Sequence, residues 1–133
     1  MQYLRAKLTR TLLLHFGDDD RRIEHALRVL QHTEALLGKY PGSDAEIAIA
    51  AALLHDVGIK EAEARHGYND GKTQEEYGPP IAAAILEQIG FPHAKIEIVK
   101  NIIGNHHSPS RYAYPELALL KEADLIVNRD DRG

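Results

Sequence analysis

The sequence predicts an all-α protein, a single-domain bundle of about six helices, on three observations. The first is length: 133 residues suit one hydrophobic core, because single cores serve chains of roughly 100–200 residues. The second is that apolar residues recur at intervals of three and four through segment after segment, the period that aligns them on one face of a helix. The third is punctuation. Gly, Pro and Asp/Asn clusters fall between those segments, and the chain contains no repeat and no low-complexity stretch.

The first segment, Met1 to Phe16, puts Leu4, Leu8 and Leu12 on one face, with the basic residues Arg5, Lys7 and Arg10 around them. We read it as the first core helix rather than as a transit peptide or a membrane-surface helix. Asp18 to Asp20 supply an N-cap and the negative charge that suits a helix N-terminus, so a second helix runs to about Leu37 and ends at Gly38 and the Pro41-Gly42 turn. Ser43, with Glu46 three residues on, has the spacing of a capping box opening the third helix. In that helix the run Ile47 to Leu54 carries no polar residue on any side, which marks a central helix surrounded by protein. Val57 to Gly78 is polar and contains several glycines, and it reads as a long loop covering a site. Pro79-Pro80 start a fourth helix through Ile81, Ile85 and Ile89, closed by Gly90 and Pro92. A fifth spans about Ala94 to Asn105 with Ile96, Val99, Ile102 and Ile103 on one side. A sixth begins at Pro115 and aligns Leu117, Leu120, Asp124 and Val127.

Composition narrows the function. With 44% hydrophobic and 27% charged residues the chain is an ordinary globular one. The 16 Lys and Arg against 20 Asp and Glu leave a net charge of −4, which disfavours a sequence-blind grip on a nucleic-acid polymer or an anionic membrane. Cys is absent, removing disulfides, thiolate metal sites and Cys nucleophiles together; a reducing cytoplasmic compartment is expected. The longest apolar run, Ile47 to Leu54, is far short of the ~20 residues that span a bilayer. Against this background 8 His beside 1 Met and no Trp stand out, since His both titrates near neutrality and is the commonest metal ligand.

Several ionisable groups sit where the pattern calls for apolar ones. His55 and Asp56 follow the central helix directly, Asp124 lies on an inward stripe, His25 borders the apolar face of the second helix beside Val29, and the fifth helix ends in Asn105-His106-His107. An isolated charge at the end of a buried helix costs several kcal/mol, so these groups need partners. Bundles meet that need by converging ligands from different helices onto a metal. Imidazole with carboxylate suits Mn, Fe, Co, Ni or Zn, and the C-terminal end of a helix favours a cation. The alternative is a buried hydrogen-bonded network without metal. His15, His32, His66 and His93 fit no ligand pattern and read as surface or structural residues.

The order His25, His55-Asp56, Asp124 resembles the HD superfamily of metal-dependent phosphohydrolases, all-helical proteins marked by a lone His, an adjacent His-Asp pair and a distant Asp. Arg22 to Val29 is similar to the helix of that family's first histidine, and Leu53-Leu54-His55-Asp56-Val57-Gly58-Ile59-Lys60 to its His-Asp box. The resemblance covers roughly Asp20 to Arg129. It implies that His25, His55, Asp56 and Asp124 hold one divalent transition-metal ion, and that a water activated by the metal cleaves a small phosphoester, with nucleotide-like substrates foremost. Binuclear members add an intermediate His and a His-His pair. His106-His107 matches the pair, but no His stands at the intermediate position near Gly78, leaving a second ion open, with Glu75 or Glu76 as a substitute oxygen ligand. Lys60, Arg22 and Arg28 are the candidates to neutralise phosphate charge. Without a second metal, His106 or His107 is the candidate acid for the leaving group.

Two other readings accompany this one: a di-iron oxygenase of the same superfamily type, and a helical binding module that keeps its metal for structure alone. A phosphate-loop reading of Gly67 to Thr73 fails, because three residues rather than four separate its glycines and no strand pattern precedes it.

Overall fold

The computed structural model describes residues 1–131, and among them the chain forms seven α-helices and one 3₁₀ turn, with no strand. The helices are α1 (Leu4–Phe16), α2 (Asp20–Leu36), α3 (Ala45–Leu54), α4 (Ile59–His66), α5 (Gly71–Gln88), α6 (His93–Ile103) and α7 (Pro115–Asp131); the 3₁₀ turn, Leu37–Lys39, ends α2. No helix among the described residues is long and apolar enough to cross a membrane.

Helix α3 organises the rest. Every residue from Ile47 to Leu54 is buried, because a helix with no polar face must be covered on all sides, and α1, α2, α6 and α7 pack around it. Helix α1 buries the leucine face read from the sequence, Leu4, Leu8 and Leu12, together with Phe16. Helix α2 starts on Asp19, whose carboxylate accepts the backbone N–H of Arg22. Helices α5 and α6 pair with each other, and α7 lies along α2 and α3. The C-terminal end of α3 therefore opens into the middle of the bundle, with α2 and α7 on one side and the α5–α6 pair on the other.

Three elements differ from the sequence reading. The segment Val57 to Gly78 is not a loop, since α4 and the first turns of α5 occupy most of it. The stop-and-start signals lie in polar residues: Asp70 accepts from the N–H of Thr73 at 2.8 Å while the Asp70 N–H donates to the Thr73 hydroxyl at 2.9 Å, a reciprocal cap that starts α5 at Gly71. Helix α5 then runs through Pro79 and Pro80 rather than beginning there. A proline inside a helix removes a donor and crowds the preceding turn, and here packing prevails: the Pro79 ring sits against Gly104, within 3.4 Å of where a Cβ would stand. At α3 the cap is Asp44, not Ser43. Asp44 accepts the Ile47 N–H at 3.1 Å, its own N–H donates to the buried carboxylate of Glu116 at 2.7 Å, and Glu46 is drawn to Lys95 at 2.8 Å.

Helix α5 can approach the end of α3 only because two glycines meet. A Cβ on Gly58 would stand 2.6 Å from the backbone nitrogen of Gly78, and one on Gly78 would stand 2.8 Å from Ile103 Cγ2. Backbone cannot yield as a side chain does, so Gly58→Ala is expected to cost about 2 kcal/mol or more in urea unfolding. Gly38→Ala, where a Cβ meets nothing within 4 Å, should stay within about 0.5 kcal/mol of the parent. Equal stability of the two variants would contradict this packing.

Candidate metal centre

Burial of α3 carries its last polar residues inward. His55 is completely buried and its Nδ1–H donates to the Ala52 carbonyl at 2.7 Å, which aims the Nε2 lone pair into the bundle. His25 arrives from α2 and Asp124 from α7, and the four side chains converge. His25 Nε2 lies 3.0 Å from Asp124 Oδ1, 3.5 Å from Asp56 Oδ2 and 3.3 Å from His55 Nε2. His55 Nε2 in turn lies 3.3 Å from Asp56 Oδ2 and 3.5 Å from Asp124 Oδ1. Ligands bound at ~2.1 Å to one ion are separated by about 3.0–3.4 Å in octahedral or tetrahedral geometry.

The second oxygen of Asp56 faces the other way, 4.0 Å from His106 Nε2. His106 donates from Nδ1 to the Ile103 carbonyl at 2.6 Å, leaving a buried Nε2 with no partner. The His107 ring lies beside it, tilted, with ring centroids 4.0 Å apart. His25, His55 and Asp56 form one group able to hold a cation, with Asp124 against both imidazoles, and Asp56, His106 and His107 form a second, joined to the first through Asp56. The His-His turn is fixed from behind: buried Asn105 donates to the Pro109 carbonyl at 3.1 Å and accepts the Arg111 N–H at 2.7 Å, and Glu75 accepts the His107 N–H at 3.0 Å.

A cleft of about 300 Å³ opens onto His25, Asp56, Asp124 and His107, walled also by Arg21, Arg22, Ile59, Asn69, Gln74, Asn128 and Asp131. One wall is a continuous hydrogen-bond chain. Arg22 donates to Glu63 at 3.0 and 3.1 Å, Asn69 to Glu63 and Gln74 to Asn69 at 2.9 Å each, and His107 Nε2 lies 2.6 Å from Gln74 Oε1.

A family model described as HD domain matches residues 22–129. The chain belongs to the HD domain family. Among characterised proteins it is 23% identical over 110 residues to the 3'-5' exoribonuclease YhaM of Geobacillus sp. (strain WCH70), a match covering 77% of this chain and 33% of that protein. The chain thus spans about a third of that relative's length. Among solved structures, a predicted HD superfamily hydrolase from an uncultured Thermotogales bacterium superposes with a TM-score of 0.69 at 24% identity, covering 96% of this chain and 74% of the other. Metal-dependent phosphohydrolase is the general class that family membership supports. The fold is that of an HD domain.

This HD domain brings His25, His55, Asp56 and Asp124 together, with His106 and His107 beside them. The other sequence candidates scatter. Arg22 lines the cleft, half-buried and held by Asp19 at 3.1 Å as well as by Glu63. Arg28 faces an adjoining cavity and is paired with Asp130 and Asp131. Lys60 is exposed and donates to the His15 carbonyl at 3.2 Å, off the cleft. Glu76 is exposed, while its neighbour Glu75 serves the His-His turn. Gln74 and Asn69 escaped notice because their segment reads as a loop; the Asp70–Thr73 cap was the available signal, since a helix from Gly71 puts Gln74 and Gly78 on one face.

The donor set fits a divalent cation. The lone pairs of His55 and His106 and the carboxylate oxygens of Asp56 point inward at one another, and His106 Nε2 has no partner among the described residues. Without a cation a proton must serve. Burial opposes a charge on His55, but Asp56 and Asp124 outweigh it and hold the imidazole well above its usual range. Burial likewise raises both carboxylates, yet the imidazoles win: Asp56 is lowered to about 2, with His55 the main opposing influence, and Asp124 is lowered further under His25 and His55. Burial, reinforced by His55 and His107, pushes His106 down to about 3 and keeps it neutral.

These shifts fix a sign. The raised His55 stabilises the metal-free fold below its unfolded value of ~6.5 and loses that contribution as pH rises through the folded value. The lowered Asp56 contributes above its unfolded value of ~3.9 and fades as pH falls toward about 2. Melting in chelator is therefore expected to weaken as pH climbs above ~6.5, and added Mn²⁺ or Co²⁺ to restore stability while releasing a proton. Metal-free stability that rises across that range, or metal uptake without proton release, would contradict the cluster.

Proposed function

We propose that this HD domain hydrolyses a small phosphorylated compound, with His25, His55, Asp56 and Asp124 holding one divalent transition-metal ion. The observation that carries the reading is the convergence of four side chains from α2, the end of α3 and α7 on the floor of a cleft, where His25 Nε2 and His55 Nε2 each lie 3.0–3.5 Å from Asp56 Oδ2 and from Asp124 Oδ1. A cation bound there would supply Lewis acidity and lower the pKa of water toward ~7, making a nucleophile available at neutral pH.

The chain's own residues supply the rest. Arg22 stands in the cleft in a fixed orientation, clamped by Asp19 and Glu63, so its guanidinium meets a phosphate oxygen without first being ordered. His107 borders the cleft and stands by the leaving group as proton donor, with Gln74 setting its ring. His106 and the outer oxygen of Asp56, with His107 beside them, offer a weaker second cation position. The cleft volume lies at the small end for ligand pockets and suits a nucleotide or less. The absence of Cys suits a cytoplasmic setting, and we read the whole chain as one domain, since α1 packs on α2 and α3.

The named exoribonuclease relative favours a second reading, in which the 3' end of an RNA enters the cleft. Metal analysis followed by assays on phosphomonoesters, nucleotides and short RNA with Mn²⁺, Co²⁺ or Ni²⁺ separates the readings. Turnover that requires O₂ and bound iron would favour the oxygenase instead, and bound metal without turnover the structural module. For the hydrolase, Asp56→Ala is expected to lower kcat/KM on the best substrate about a thousandfold or more while circular dichroism stays helical. Turnover at the parent rate by that variant would overturn the proposal.

A further inference from the structure

Three of the four cations expected or found around the cleft have partners within the protein. Arg22 is shared between Asp19 and Glu63, Arg28 between Asp130 and Asp131, and Lys60 is turned to a backbone carbonyl. Arg21 is the exception. It lines the cleft that opens onto the His-Asp cluster and also the adjoining cavity of about 290 Å³, and among the described residues it forms no ion pair. It lies one helical turn before His25 on the same face of α2, about 6 Å along the axis. Its exposed side chain is thus free to reach a group beside one held at the cluster.

A solvated arginine on a wall that also carries Glu24 and Asp131 would ordinarily pair with a carboxylate. Asp131 is already taken by Arg28 and also faces His25 Nδ1 at 3.7 Å, and Glu24 comes within ion-pair distance of no described cation. The result is a guanidinium with no ion pair among the described residues, between two neighbouring cavities that share Arg21, His25 and Asp131 in their walls. A planar, permanently charged fork is suited to bidentate capture of phosphate.

Resting on the phosphohydrolase reading above, we propose that Arg21 binds a second phosphate of the substrate, so that preferred substrates carry two phosphate groups. The second is either the adjacent phosphate of a diphosphate or the next one on a nucleotide. Arg21 acts on specificity: it adds affinity for a ligand with two phosphate groups and leaves the group held at the cluster untouched.

The test uses unreactive or product-like probes with the Mn²⁺-loaded full chain and titration calorimetry. Methylenediphosphonate is compared with methylphosphonate, and adenosine 3',5'-bisphosphate with adenosine 5'-monophosphate. In at least one pair the probe with two phosphate or phosphonate groups should bind about tenfold or more tightly, and Arg21→Gln should abolish that preference while leaving the probe with one such group within about twofold. Which pair responds identifies adjacent or spaced phosphates, and Arg21→Lys should keep only part of the preference. An unchanged ratio in Arg21→Gln, or an equal weakening of both members of a pair, overturns the role of Arg21 while leaving the hydrolase reading intact. Failure of the parent to bind any of the four probes removes both.

Discussion

The structure depends on a carboxylate largely withdrawn from water. Asp56 follows the most buried helix of the bundle directly, and its side chain remains only 13% exposed. A lone carboxylate there would be costly enough to take up a proton or unfold the segment. Instead its two oxygens divide the interior, Oδ2 facing His25 and His55 and Oδ1 facing His106. Each surrounding element can be read as meeting that charge: α2 brings an imidazole, α7 a second carboxylate that makes a single proton an insufficient counter-charge, and the end of α6 an imidazole with an unused lone pair.

This arrangement explains why the scaffold is built tightly just behind the site. The contact of Gly58 with Gly78 brings α5 against the end of α3, and Gly71 packs so closely on His107 that a Cβ would stand 2.9 Å from that residue's Cβ. Small residues at both points let one helix deliver Gln74 and Asn69 to the cleft wall. The wall is then tied through Glu63 to Arg22, so the cation beside the cluster is held by α4, and α4 by the same amides that position His107. The region read as a loop is one side of the site.

Much of this was legible in the sequence, for physical reasons that differ from residue to residue. The all-apolar run Ile47 to Leu54 has only one stable environment, so the depth of His55 followed from it. Asp124 was legible because it interrupts the stripe Leu117, Leu120, Val127, all three of which are buried. Helix α4 was not, because its apolar contribution is small: Ile59 and Ala62 are its buried residues, too few to set a period. The prolines of α5 misled for another reason. Local propensity favours proline at a helix start, whereas here the Pro79 ring packs against Gly104 inside the helix. The commitments of the cations were beyond sequence altogether, since Arg22 meets Glu63 across 41 residues and Arg28 meets Asp130 across 102.

The central claim is that one divalent ion sits among His25, His55, Asp56 and Asp124, and anomalous diffraction at the Mn edge from Mn²⁺-loaded crystals tests it most directly. The account predicts the strongest peak at about 2.0–2.3 Å from His25 Nε2, His55 Nε2, Asp56 Oδ2 and Asp124 Oδ1 together, with any weaker peak on the His106 side of Asp56. A strongest peak elsewhere, or none at those four atoms with metal in excess, would contradict it.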